Sequence, residues 1–338
     1  MSNQIVLIIG AGASNALHPQ FALGGGLLQQ ISDRVTDRTS VHQPYLSNLF
    51  KKLEFDYSTL WDFVHHLDEY KRTAEFPSID GFLDEVSLYP EFRTVKDKFI
   101  QIGKFSIMFH ILGYEAELKN PQTGGLKEDA WIHEIAKFID EKSLLSKTNE
   151  NDFDLKIITF NYDRNIEHFL FNHTRFETRK NEIKSFIEKS VSHVYGKIGD
   201  LKWQNEEKYF EFGEDNSKAD KIFSQKNSID IMYLERMDRN EAENKKASLW
   251  IHSEETKKVC AFGFNFDLIN YRLLSLQNLG IVVPRLKFIA NVYPHDTNGF
   301  TNRRIMASRI RNIKHNAEIC YLGCTDFLKQ VLMADEQT

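Results

Sequence analysis

Four short clusters in this chain hold residue types suited to chemistry: Gly10-Ala11-Gly12-Ala13-Ser14, Thr159-Phe160-Asn161-Tyr162-Asp163, His193-Val194-Tyr195-Gly196 and Gly263-Phe264-Asn265-Phe266-Asp267. Gly10 and Gly12 follow the apolar run 5–9 and allow a sharp turn that brings the backbone against a ligand where a Cβ would clash. Ser14, with Asn15, suits the N-cap of the next helix, whose free amides and positive dipole end favour a phosphate. This is the pattern of a strand–turn–helix dinucleotide site. Asn15 stands where the common fingerprint has its third glycine, and no strand-end acid follows at the usual distance, since Asp33 and Asp37 fall in or after a helical stretch. A merely tight turn is the plainer reading. Asn161 offers an amide with both donor and acceptor. His193, with an ordinary pKa near ~6.5, is the candidate general base. Taken singly, Asn161 and Asp163 suit helix caps equally well, as does Asp267, and a lone histidine near a strand end is most often structural.

The elements that must carry these clusters read as α/β. Residues 5–9 form an apolar run without alternation, the signature of a strand buried on both faces; 155–160 reads as a second buried strand, and 190–196, 258–262, 286–291 and 318–322 as further strands. Helical stretches separate them, which implies a Rossmann-like parallel sheet with right-handed crossovers and helices on both faces. Open sheets of this kind bind ligands at the carboxyl ends of their strands, where the four clusters fall. Residues 45–150 show only helical periodicity and are expected to form a large all-helical insertion; Ser78 is a plausible N-cap within it. The sheet domain is then expected to comprise residues 1–44 and 151–338, with a Lys-, Glu- and Asn-rich insert at about 202–255.

Composition narrows the function classes. The 338 residues are 41% hydrophobic and 27% charged, an ordinary globular balance with material for a large core. A formal charge of −5 gives no global drive toward nucleic acid or anionic membranes. The run 5–9 is too short for a secretory h-region, and no apolar run reaches membrane-spanning length. Three cysteines (Cys260, Cys320, Cys324) fit a reducing compartment rather than a disulfide framework. A cytoplasmic location is the expectation.

Several alternatives fail on spacing. His133-Glu134 is not a zinc-protease helix, because Lys137 stands four residues after His133. No P-loop motif is present. The cluster Arg303, Arg304, Arg309 and Arg311 reads as a solvated helix face, and Cys260 as a buried, inert thiol.

The four clusters, in this order on strand ends, resemble the sirtuin-like NAD-consuming family. The Thr-x-Asn-Tyr-Asp spelling at 159–163, Ser78-Ile79-Asp80-Gly81-Phe82-Leu83 in the helical region, and Asn270 after the last glycine motif are most similar to its prokaryotic anti-phage branch, whose members destroy NAD to halt an infected cell. The resemblance covers the sheet-forming half of the chain. It departs from protein-deacylating sirtuins in three respects: there is no pair of Cys-x-x-Cys motifs for a zinc ribbon, Phe160 stands where those enzymes have glutamine, and Tyr195 stands between His193 and Gly196 where those enzymes are tighter. The resemblance implies an NAD glycohydrolase that takes NAD as substrate and needs no metal. It implies that Asn161 orients the nicotinamide-ribose hydroxyls or the attacking water, and that Asp163 orients Asn161 or the carboxamide. Gly10, Ala11, Gly12, Ala13 and Ser14 would hold the pyrophosphate, Asp80 would approach the pocket from the insertion, and Gly263, Asn265 and Asn291 would line the adenosine half. Unrestrained NAD loss is intolerable to a cell. The resemblance therefore implies control by assembly into a homo-oligomer or by a protein partner, of the kind of a HerA-type ATPase, an argonaute or a nucleotide-binding protein. Two other readings stay open: an NAD-dependent deacylase or ADP-ribosyltransferase, and a non-catalytic module that senses NAD or ADP-ribose.

Overall fold

The computed structural model describes residues 3–19, 21–36, 50, 55–74, 77–119, 126–145, 153–214, 237–266, 268–292 and 299–333. They fall into two compact units: Met1–His18, Leu126–Val194 and Glu241–Thr338 form the first, Pro19–Gly125 and Tyr195–Asn240 the second.

The first unit is a Rossmann-like α/β structure. Its six strands are β1 (Asn3–Ile9), β2 (Phe153–Thr159), β3 (Val191–His193), β4 (Thr256–Phe262), β5 (Lys287–Asn291) and β6 (Glu318–Cys320). They lie in the order β3-β2-β1-β4-β5-β6, and every neighbouring pair is parallel. The apolar runs explain this. From Ile5 to Ile9 every side chain of β1 is buried, as is every one from Lys258 to Phe262 in β4, which only a strand covered on both faces requires. Lys258 fits because its stem lies in the core while its ammonium donates to the Val331 carbonyl at 2.8 Å. Two strands are shorter than their sequences suggest. β3 stops at His193, and Gly196 has a φ of 76°. β6 stops at Cys320, and Leu322 is held instead by the Asn291 side chain.

The unit boundaries also depart from the expected 45–150 insertion. The helix Trp131–Glu141 packs in the sheet unit: the Trp131 indole donates to the Ala13 carbonyl at 2.8 Å and its ring meets Phe262 edge-on at 5.4 Å. Periodicity marks a helix with an apolar face without saying what that face will meet. The expected 202–255 insert is divided between the units. Most of the helix Met237–His252 belongs with the sheet, where Glu243 accepts from Ser192 at 2.6 Å, and residues 215–236 lie outside the described residues.

The second unit holds the helices Gly24–Thr36, Tyr57–Thr73, Ile79–Leu88 and Lys96–Lys119. Phe63 sits edge-on to both Phe82 and Phe99 at 5.5 Å, which joins three of these helices through one aromatic cluster. Ser78 is the N-cap of Ile79–Leu88, accepting from the Gly81 amide at 3.1 Å. Residues 195–214 belong here too, because Gly213 (φ 61°) donates its amide to the buried Glu115 carboxylate. No described helix is long and apolar enough to cross a membrane.

Candidate functional site

Register alone gathers the four clusters. Ile9 pairs with Thr159 and Phe262, and Thr159 pairs with His193, so the last residues of β1, β2, β3 and β4 form one row across the sheet. Everything after that row emerges at the carboxyl edge, where open parallel sheets place their ligands.

The first and fourth clusters are fastened to each other. Gly10 donates to the Phe262 carbonyl at 3.2 Å and Gly12 to the Gly263 carbonyl at 2.9 Å. A Cβ on Gly10 would lie 2.4 Å from the Gly263 oxygen, and one on Gly263 only 2.1 Å from the Ala13 nitrogen. Turn-on-turn packing thus accounts for glycine at these positions without a ligand. The Gly12 amide is spent on Gly263 and the Ala13 amide on the Gly10 carbonyl at 2.9 Å, so two of the amides expected to face a pyrophosphate already have protein acceptors. Phe264 then packs tilted against Phe160, ring centroids 4.8 Å apart, and Arg309 donates to the Phe266 carbonyl at 3.0 Å. Ala11 opens the helix that follows Gly10.

Ser14 is not the N-cap. The helix Ala11–Leu17 starts directly after Gly10, which caps it without a side-chain bond, and Ser14 sits on the second turn with its side chain inward. Its hydroxyl donates to Asp163 Oδ2 at 2.7 Å, while Asp163 Oδ1 accepts from the Asn165 amide at 3.2 Å.

That pair sets the orientation of Asn161. Asn161 Nδ2 donates to the Gly10 carbonyl at 3.1 Å and to Ser14 Oγ at 2.8 Å. A carbonyl only accepts, and the Ser14 proton is committed to Asp163, so both neighbours demand the NH2 end of the amide. Asn161 Oδ1 must therefore point the other way. It is buried, and it has no hydrogen-bond partner among the described residues. The amide is thus an oriented acceptor at the edge of the sheet.

His193 is held at both nitrogens. Nδ1 lies 3.0 Å from the Asn161 carbonyl, which requires the proton on Nδ1, and Nε2 lies 2.8 Å from Glu167 Oε1. Both side chains are buried. The general-base expectation needs a ring nitrogen turned toward a water, and here both face protein.

Three residues of this region escape sequence reasoning. Glu167 lies in the first turn of the helix Asn165–Asn172, and no local spacing in the sequence pairs it with His193. Arg164 is fully buried although Asp163-Arg164-Asn165 reads as a polar loop. Asn165 is 1% exposed, and neither end of its amide has a partner among the described residues.

The remaining expected residues make other bonds or belong to the other unit. Asn265 is exposed, and its carbonyl accepts from Asn270 at 2.9 Å. Asn291 ends β5, two strands from β1, and its amide clasps the Leu322 backbone through Nδ2 at 2.8 Å and Oδ1 at 2.9 Å. Asp80 belongs to the second unit, in the first turn of Ile79–Leu88. Asp267 lies outside the described residues. Among the described residues no three His, Cys, Asp or Glu gather as metal ligands, and the cysteines are buried free thiols. No protein-family model matches the chain, and no curated protein matches its sequence.

Proposed function

We propose that this chain is an NAD glycohydrolase that releases nicotinamide and ADP-ribose. The observation that carries the reading is the Asn161 amide, locked by Gly10 and Ser14 with an unpartnered buried oxygen. A buried acceptor without a donor is costly, about 1–3 kcal/mol, and a ribose hydroxyl or a bound water would meet it. The nicotinamide–ribose bond asks little more of a protein. Its leaving group is a pyridinium that departs neutral, taking the bonding pair, so no acid need protonate it. The water oxygen bonds to the anomeric carbon and releases one proton. An oriented acceptor places that water or fixes the ribose, which is the proximity such a reaction needs.

The residue clusters resemble those of anti-phage NAD-consuming proteins, and the reading extends to that setting: a cytoplasmic effector held in check and released by homo-oligomerisation or by a protein partner (a HerA-type ATPase, an argonaute or a nucleotide-binding protein). A second reading draws support from His193, whose nitrogens both face protein: a module that binds NAD or ADP-ribose without turnover. Nicotinamide release by the purified chain, alone and with its genomic neighbour, tests both. Asn161→Ala is expected to reduce release by about a hundredfold, a loss of the order seen when a positioned polar group leaves an active site. Equal rates in Asn161→Ala and the parent would overturn the site; NAD binding with no release in any mixture would select the second reading.

A further inference from the structure

We infer that His193 is a positioning residue, whose Nδ1–H clamps the Asn161 carbonyl while Glu167 fixes the other nitrogen. It holds the Asn161 segment rigid and does not itself take the proton of the attacking water. The inference deepens the hydrolase reading and rests on it for the reaction, although the clamp itself is independent of any substrate.

The geometry leaves little choice. The Asn161 carbonyl cannot donate, so Nδ1 carries a proton and has no lone pair for a water. Nε2, the nitrogen that could accept, is occupied at 2.8 Å by Glu167 Oε1. Glu167 stands in the helix Asn165–Asn172 and His193 ends β3, so the pair ties a helix to the strand beside β2. Asn161 is then held from two directions: His193 grips its main chain, and Gly10 with Ser14 grip its side chain. The main-chain grip decides where the side-chain oxygen sits. The proton released on hydrolysis passes to solvent, since the oxocarbenium character of the ribose makes water reactive enough without prior deprotonation.

Isosteric substitution separates the two roles. The Nδ2 of an asparagine at 193 occupies the place of the imidazole Nδ1, whereas the Nε2 of a glutamine reaches the place of the imidazole Nε2. Each variant is made in a Glu167→Gln background, so that no buried carboxylate is left without its partner. Nicotinamide release is measured together with backbone hydrogen exchange over residues 159–165. With the clamp, His193→Ala raises exchange and lowers kcat about a hundredfold, and His193→Asn restores protection and recovers kcat to within about tenfold of the Glu167→Gln parent. His193→Gln behaves like His193→Ala. If His193 were the base, His193→Asn would be as inactive as His193→Ala, ~10²–10⁴-fold down, with exchange unchanged in both; that result overturns the inference. Should His193→Ala fail to fold, His193→Asn against His193→Gln gives the same contrast. The exchange measurement reads the clamp even if nicotinamide is never released, so failure of this inference and failure of the hydrolase reading are distinct.

Discussion

The Gly12 amide donates to the Gly263 carbonyl at 2.9 Å, so the turn after β1 and the turn after β4 are fastened main chain to main chain. Gly263 has a φ of 58°, a region that side chains disfavour, and a methyl group there would meet the Ala13 nitrogen. Gly263→Ala is therefore expected to destabilise the protein by roughly 3 kcal/mol or more. Urea unfolding measures it, and an unshifted midpoint would show that the two turns do not depend on this approach.

Ser14 links Asp163 to Asn161. Ser14→Ala removes one of two groups that orient the Asn161 amide and takes one hydrogen bond from Asp163. We expect a stability loss of ~1–2 kcal/mol and nicotinamide release slowed about tenfold. A variant that keeps the parental rate would mean that Gly10 alone orients the amide.

Asn165 has a buried amide without a partner among the described residues, which costs stability in the unliganded protein. Asn165→Leu, of similar volume and no polar atoms, is expected to stabilise it by about 1 kcal/mol. Thermal melting checks the sign. A lower midpoint would reveal a hydrogen bond that this amide makes in solution.

His173 supplies a pH dependence. The Arg175 amide donates to its Nδ1 at 3.2 Å, so its Nε2–H faces His133 Nδ1 at 3.1 Å, and His133 Nε2 faces the Lys127 carbonyl. His173 is neutral in this chain of bonds. Burial, with His133 and Arg175 adding to it, pushes the His173 pKa down to about 4 from 6.5, against a smaller opposing pull from Asp140. The unfolded chain then binds a proton in that window which the folded chain refuses. Stability is complete above pH 6.5 and falls as the pH drops through about 4. Melting temperatures across this range are expected to fall less steeply in His173→Gln than in the parent; parallel slopes would remove His173 as the cause.

Local signals revealed much of this architecture. The segments ahead of Gly10, Phe160, Val194 and Gly263 are strands, and their order put the polar clusters on one edge. What stayed hidden depends on partners far along the chain. Ser14 has the residue type of an N-cap, yet the helix starts earlier because Gly263 takes the Gly12 amide. The pairing of Glu167 with His193 and the grip of Asn291 on Leu322 arise only once strands are side by side. Trp131 looked like part of the insertion because an apolar helix face does not name its neighbour.

The strand order also bears on how the molecule is made. Ile5 lies between Leu155 and Lys258, so β1 gains its second flanking strand only after most of the chain has left the ribosome. Contacts so distant along the chain form slowly and leave an unpaired hydrophobic strand waiting during translation. The Gly10 turn, which closes against Gly263, is completed at that same late moment. Nascent chains truncated before Lys258 should thus lack the joined Gly10–Gly263 edge altogether, which makes that edge a product of finished synthesis.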